Sequence, residues 1–333
     1  MGCGGSPRDV SGDLRKGEPG GPSAPAETVH VDRSQAAYRY DPALPARVCI
    51  IPGTTVEVET RDPRSGGLLV GPPGTLCPFP PWAQGVHWNA LTGPIAVQGA
   101  SPGDTLVVDI LEVAVAGVGY MAYNDEGSVV PRGRTDGQRV GIVDVRAGEV
   151  HWRNGLRWPC RPMCGCVGVA AHGAPPADAT GAFGGNMDHA AVERGCRVYL
   201  PVFVPGAMLY VGDCHASMGD GELSGAGVEI AGNVLARIDC LPGVQVPGPR
   251  LETASHVTTT GWGIDFREAR RVAVEAMLEL MQVCLDVPAG EALMLISAMG
   301  DLQIGQSSVD RDMTLRLAMP RHLGLWAAPG TRR

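Results

Sequence analysis

From His30 onward the chain alternates short apolar runs with turn-forming residues, the pattern of β-strands joined by tight turns. Val48–Ile51, Val56–Thr60, Ile95–Val97, Leu106–Val113, Arg139–Val145 and Arg197–Val204 are predicted strands. Pro52-Gly53, Pro72-Pro73-Gly74 and Pro102-Gly103-Asp104 punctuate them, drawing on 47 glycines and 28 prolines. One stretch carries a long helical period. From Asp265 to about Leu285, the residues Phe266, Ala269, Val272, Ala273, Ala276, Met277, Leu280, Met281 and Cys284 form a stripe, opened by Asp265 with Glu268 three residues on. A second helix is predicted from Ala289 to Met299, with Leu293, Ile296 and Ser297 inward. The expected fold class is mainly β: β-sandwich or barrel lobes with a small α/β C-terminal portion. Residues 1–28 are rich in Gly, Pro and charge, too poor in large apolar side chains to repay ordering, and read as a flexible tail. Residues 29–245 read as the β-rich lobes, with a sub-boundary near 117–137, and residues 246–333 as the C-terminal portion.

Composition narrows the function classes. At 333 residues the chain can bury a large core, and its net charge of −8 offers no basic field for nucleic acid or anionic lipid. A neutral or cationic small molecule is the easier substrate. Lys16, in the tail, is the only lysine. This excludes Ser-Ser-Lys amidases, Glu-Lys-Cys nitrilase-type hydrolases, Schiff-base enzymes and Lys-dependent phosphate loops. Ten cysteines occur with no secretory signal, and no apolar stretch reaches the ~18 residues of a membrane span, so free thiols and a cytoplasmic setting are expected. Met1-Gly2-Cys3-Gly4-Gly5-Ser6 fits the loose N-myristoylation pattern, but such starts are common by chance and a disordered leader is the preferred reading.

Chemistry concentrates in Gly212-Asp213-Cys214-His215-Ala216-Ser217-Met218-Gly219-Asp220-Gly221-Glu222 and in Gly184-Gly185-Asn186-Met187-Asp188-His189. Imidazole and carboxylates on glycine-flanked loops are the makings of a divalent metal site. If Leu209–Val211 is a strand, Asp213 and His215 leave its end on one side, since residues i and i+2 share a face. Asp188 is the ligand from a second element. The competing reading is a set of solvated acidic turns with a core histidine, and the density of the cluster weighs against it. His87 and Asn89, among Pro81, Trp82 and Trp88, would line a pocket mouth and hydrogen-bond an amide, or simply belong to an aromatic-capped loop. Asp62 follows a predicted strand, where a solvated carboxylate is the default. Cys160, Cys164 and Cys166 lack paired CxxC spacing and read as core, as does Cys214. No GxSxG, GxGxxG or HExxH motif is present.

Taken in order, Thr92–Asp104, Arg161–Ala170, Gly184–Asp188, Leu200–Ala207 leading into Gly212–Glu222, and Leu295–Leu302 with Gln306 resemble the acetamidase/formamidase family from about residue 45 to 325. The resemblance implies a β-rich, two-lobed fold and a metal-dependent hydrolase of short linear amides that releases ammonia and a carboxylate. It implies Asp188, Asp213 and His215 as metal ligands with Asp62 as a further candidate, Glu222 as general base, and Asn186 among the polar residues of the site; Asn186 or a backbone N–H of the Gly184-Gly185 loop would then stabilise the oxyanion. It also implies a homodimer or larger homo-oligomer. The divalent ion would be zinc first, with calcium, manganese or iron as alternatives. Ala90 stands where the family usually has Pro, and Cys164, Cys166, Cys214 and Ser217-Met218 replace other small residues, which leaves open formamide, acetamide or a larger amide. A urea- or guanidine-like substrate, or a non-catalytic amide-binding role, are the rival expectations.

Overall fold

Two β-sheets lie face to face because their strands carry apolar side chains toward a shared core. The computed structural model describes residues 28–81, 89–123, 129, 133–135, 137–307, 312–326 and 328. Thr54–Thr60 buries Val56, Val58 and Thr60 and turns Glu57 and Glu59 outward, and Gly232–Leu241 alternates in the same way. These two strands pair antiparallel within a nine-stranded sheet that also contains Thr105–Val115 and Arg197–Pro201.

A six-stranded sheet packs on it, ordered Thr180–Gly181, Gly184–Asn186, Met163–Val169, Leu209–His215, Leu91–Val97 and Val48–Ile50. Its two central strands, Met163–Val169 and Leu209–His215, are buried at every position, as strands covered on both faces must be. One apolar cluster joins Val58, Val108 and Val234 of the first sheet to Ile95, Val167, Leu209 and Val211 of the second. Thr92 Oγ1 donates to Glu59 O at 2.6 Å across the gap. The sandwich expected from the strand pattern is therefore the architecture present. A third, five-stranded sheet is built around Arg139–Arg146, which pairs with Gly117–Tyr123, Leu76–Pro78 and Glu149–His151.

The C-terminal strands extend the nine-stranded sheet, through Arg250–Glu252, His256–Gly263, Met313–Pro320 and Asp301–Ile304. Helix α1, Phe266–Leu285, lies across them. Its first turn is closed by Asp265, whose carboxylate accepts from Glu268 N at 2.8 Å, and its Ala269, Ala273, Met277, Leu280 and Met281 are buried. Phe266 stays exposed and carries Arg270 over its ring at 5.5 Å. Helix α2 spans Ala289–Met299, but its inward residues are Ala292 and Ile296. The expected Leu293 and Ser297 face outward, because a short helix apolar on most sides leaves its orientation to the neighbour it meets.

Several predicted strand ends move, two of them next to the acidic segments. The Arg197 strand stops at Pro201, and the Leu209 strand runs on to His215, which places Asp213 and His215 inside the sheet. Among the described residues no single helix is long and apolar enough to cross a membrane.

Candidate active site

The site forms at one end of the two central strands of the six-stranded sheet. Met163 stands opposite His215, Cys164 opposite Cys214 and Cys166 opposite Gly212. Between Cys164 and Cys166, Gly165 has no side chain where two carboxylates press in. A Cβ there would lie 2.4 Å from Asp188 Oδ1 and 2.7 Å from Asp213 Oδ2, so only glycine leaves room for both. The same residue's carbonyl accepts from Met187 N at 3.1 Å and Asp188 N at 3.2 Å, tying the Asp188 loop to the strand.

Three of the acidic residues, Asp188, Asp213 and Glu222, have left-handed backbones with φ of 46°, 60° and 43°. Such conformations cost of order 1–3 kcal/mol in non-glycine residues and persist where the surroundings over-determine them, commonly at functional sites.

His215 stands at the centre. Its Nε2 is 3.1 Å from Glu229 Oε2 and 3.4 Å from Asp213 Oδ1, at angles that form a hydrogen bond to neither. A Cβ on Gly227 would sit 2.6 Å from His215 Nδ1, so the imidazole too rests against a glycine. Ligand-type atoms of Asp188, His215 and Glu222 lie within 4.8 Å of one another, and so do those of Asp213, His215 and Glu229. Glu229 is fixed through its Oε1, which accepts from Gly227 N at 2.9 Å.

A second set of groups borders this one. Asn89 Nδ2 donates to Asn186 Oδ1 and lies 3.3 Å from Asp213 Oδ2. The Cys166 thiol donates to Asn186 Oδ1 at 3.1 Å and lies 3.4 Å from Asn89 Nδ2.

Crowding acids in a dry place penalises their charged forms. Burial pushes the Asp188 carboxyl well up, the Asp213 charge adds to it, and His215 opposes. Glu222 is raised well above its usual range by burial and then by Asp188. Glu229 is pushed up to about 7 by burial, with His215 opposing. For His215 burial favours the neutral ring, but the Glu229 and Asp213 charges outweigh it and raise the value well above the ordinary range. Neighbouring His189 goes the other way, down to about 3, through burial and the Arg316 charge.

These residues suit a divalent cation. The set is one imidazole and several carboxylates, the donors that zinc, manganese and iron accept. Asp188 Oδ1, both His215 nitrogens and Glu229 Oε2 are buried without a hydrogen-bond partner among the described residues, a costly arrangement unless a cation or a proton satisfies them. The 3.1 and 3.4 Å separations around His215 Nε2 match the spacing of neighbouring ligands about 2.0–2.2 Å from one ion.

The sequence profile of the acetamidase/formamidase family matches residues 25–171 and 165–256. This chain belongs to that family. It is 26% identical over 321 residues to a putative formamidase of Schizosaccharomyces pombe, covering 73% of this chain and 78% of the relative. It is 25% identical over 336 residues to an acetamidase of Mycolicibacterium smegmatis, covering 74% and 79%. A solved structure of a predicted acetamidase/formamidase from Thermoanaerobacter tengcongensis superposes with a TM-score of 0.82 at 32% identity, over 89% of this chain and 96% of that one.

Within this acetamidase/formamidase chain the expected residues divide. Asp188, Asp213, His215 and Glu222 come together as described, and Asn186 and Asn89 pair with each other beside Asp213. His87 lies outside the described residues. Asp62 is buried near Asp213 but spends its oxygens on the turn that follows it, accepting from Arg64 N at 3.0 Å and Gly66 N at 2.6 Å. Sequence reasoning missed Glu229 and the polar role of Cys166. Glu229 left a faint signal, an acid between Val228 and Ile230, both buried. Cys166 left none, because a thiol in an apolar run looks like core.

Proposed function

We propose that this chain hydrolyses short linear amides of the formamide and acetamide type, releasing ammonia and a carboxylate, at a site that holds a divalent cation. Family membership supports amide hydrolysis, and the acetamidase and formamidase names of its relatives favour small aliphatic substrates. The observation that carries the cation is the convergence of buried carboxylates on His215, with Asp188 Oδ1, Glu229 Oε2 and both imidazole nitrogens lacking a hydrogen-bond partner among the described residues. His215, Asp188 and Asp213 would hold it, with Glu229 added to the set read from sequence. A cation there would polarise the amide carbonyl and bring the pKa of a water toward ~7.

Glu222 is the general base. It sits within 4.8 Å of the Asp188 and His215 donors, where it can take a proton from the attacking water and return it to the departing nitrogen, and burial raises its affinity for that proton. Asn186, its Oδ1 already engaged by Asn89 and Cys166, has Nδ2 hydrogens to offer the developing oxyanion. The thiol and Asn89 keep that amide turned the right way. We place the enzyme in the cytoplasm as a homo-oligomer, the usual setting for a chain with free buried thiols and this family resemblance.

The test is ammonia release from formamide, acetamide, propionamide and urea, with chelator and with zinc, manganese, iron or calcium added back. Chelator-sensitive release from one amide supports the reading and names the substrate. Release from urea alone moves the substrate class, and no release from folded, metal-loaded protein defeats the hydrolase reading. Glu222→Gln should keep the cation and lose about 10²–10⁴-fold in kcat.

A further inference from the structure

The loop that carries Glu222 is held from the far end of the chain. Gly219 to Glu222 form a tight turn, in which Glu222 N donates to Gly219 O at 3.2 Å. Gly221 N donates to Gly305 O at 2.9 Å, and Ser307 N and Oγ both donate back to Gly221 O, at 3.0 and 3.2 Å. One residue before Gly221, both carboxylate oxygens of Asp220 accept from Arg316 Nη2, at 2.7 and 2.8 Å. Arg316 is buried in the strand Met313–Pro320, and its Nε is locked by Gln303 Oε1 at 2.6 Å from the paired strand Asp301–Ile304.

A buried guanidinium anchored on a sheet strand is a rigid point, whereas a turn with two glycines and a left-handed Glu222 has little stiffness of its own. From this geometry we infer that Arg316 and Asp220 are positioning residues for Glu222, and that the C-terminal strands set the aim of the base. The backbone pairs at Gly221 fix where the turn sits, and the Arg316–Asp220 pair fixes how it is rotated. This rests on the reading of Glu222 as general base.

Asp220 is half-exposed while its partner Arg316 is buried, so Asp220→Asn, which removes the charge but keeps a carbonyl acceptor for the guanidinium, is the primary variant. It should lower kcat for the best of formamide, acetamide and propionamide by about 10–100-fold, the scale of a misplacement near 1 Å, with KM and bound cation close to wild type. The limb of the pH–rate profile that reports the base should shift. Asp220→Glu, which keeps the charge, should recover part of the loss. Hydrogen exchange of the peptide covering Gly219 to Gly225 should quicken, a readout independent of turnover.

The double variant Asp220→Asn/Glu222→Gln separates the two claims. If Glu222→Gln loses about 10²–10⁴-fold in kcat and Asp220→Asn lowers its residual rate no further, positioning through Glu222 is supported. If Glu222→Gln is inactive while Asp220→Asn keeps wild-type kcat, pH profile and exchange, the positioning inference fails and the base stands. If Glu222→Gln stays active, the base assignment fails, and the inference goes with it.

Discussion

Gly165→Ala is the most direct probe of why two acids meet at this point. The substitution adds one methyl group and no charge, at a backbone conformation outside the left-handed region, so only space is at issue. The new Cβ would stand 2.4 Å from Asp188 Oδ1 and 2.7 Å from Asp213 Oδ2, where ordinary contact starts at 3.4 Å. Asp188 must therefore withdraw by about 1 Å and Asp213 by somewhat less, or the central strand must move. Overpacking of this kind costs about 1–3 kcal/mol of stability. Displacing positioned groups by 1 Å costs roughly 10²-fold in turnover, and two displaced ligands should also weaken cation binding. The assay is metal content by mass spectrometry, melting temperature with and without zinc, and ammonia release from formamide and acetamide. Gly248→Ala is the control, because its Cβ would press on the Trp262 ring at 2.8 Å, away from the acids. It should lose stability and keep its cation. Wild-type metal content and turnover in Gly165→Ala would refute the idea that Asp188 and Asp213 act as a pair held against that glycine.

Metal-free protein should lose stability as pH rises from about 5 to 8. The Glu229 pKa goes from 4.5 unfolded to about 7 folded, so its contribution is complete below 4.5 and gone above 7, and His215, also raised, acts in the same direction above 6.5. Glu229 alone corresponds to about 3 kcal/mol, and thermal melts across that range, in which cation-induced stabilisation should grow with pH, check it. A flat apo profile would contradict the buried carboxyl's shift. Cys166→Ala removes a thiol donor worth about 1 kcal/mol at Asn186, so turnover should drop roughly 5–10-fold with cation content unchanged, as steady-state kinetics and metal analysis would show. Asp265→Ala should cost about 1 kcal/mol in denaturant unfolding through loss of the α1 cap and leave ammonia release untouched.

Local patterns carried far in this chain. The capped start of α1 is visible in the spacing of Asp265 and Glu268, and the strands around Val56 and Leu106 are visible in their alternation. Met163–Val169 escaped notice as a strand because its Cys and Gly residues weaken the β signal, though burial on both faces makes it central. The acids near His215 stood out because glycines and charges crowd into two short segments. Asp62 read on sequence as a solvated strand-end carboxylate with ligation only a further possibility, and the hydrogen bonds from Arg64 and Gly66 show it buried and serving its own turn.

By itself, then, the sequence determined the β class, the two helices, the lack of a catalytic lysine and the residues Asp188, Asp213, His215 and Glu222 as candidates. These follow from local spacing and residue chemistry, which need no knowledge of distant neighbours. Tertiary structure alone decided that Glu229 completes the group, that Gly165 makes room for two carboxylates, and that Arg316 reaches Asp220 across 96 positions of chain. Each of those joins a strand residue to a loop or turn residue outside its own local pattern, and no such pattern encodes a partner that only the packing of the sheets brings near.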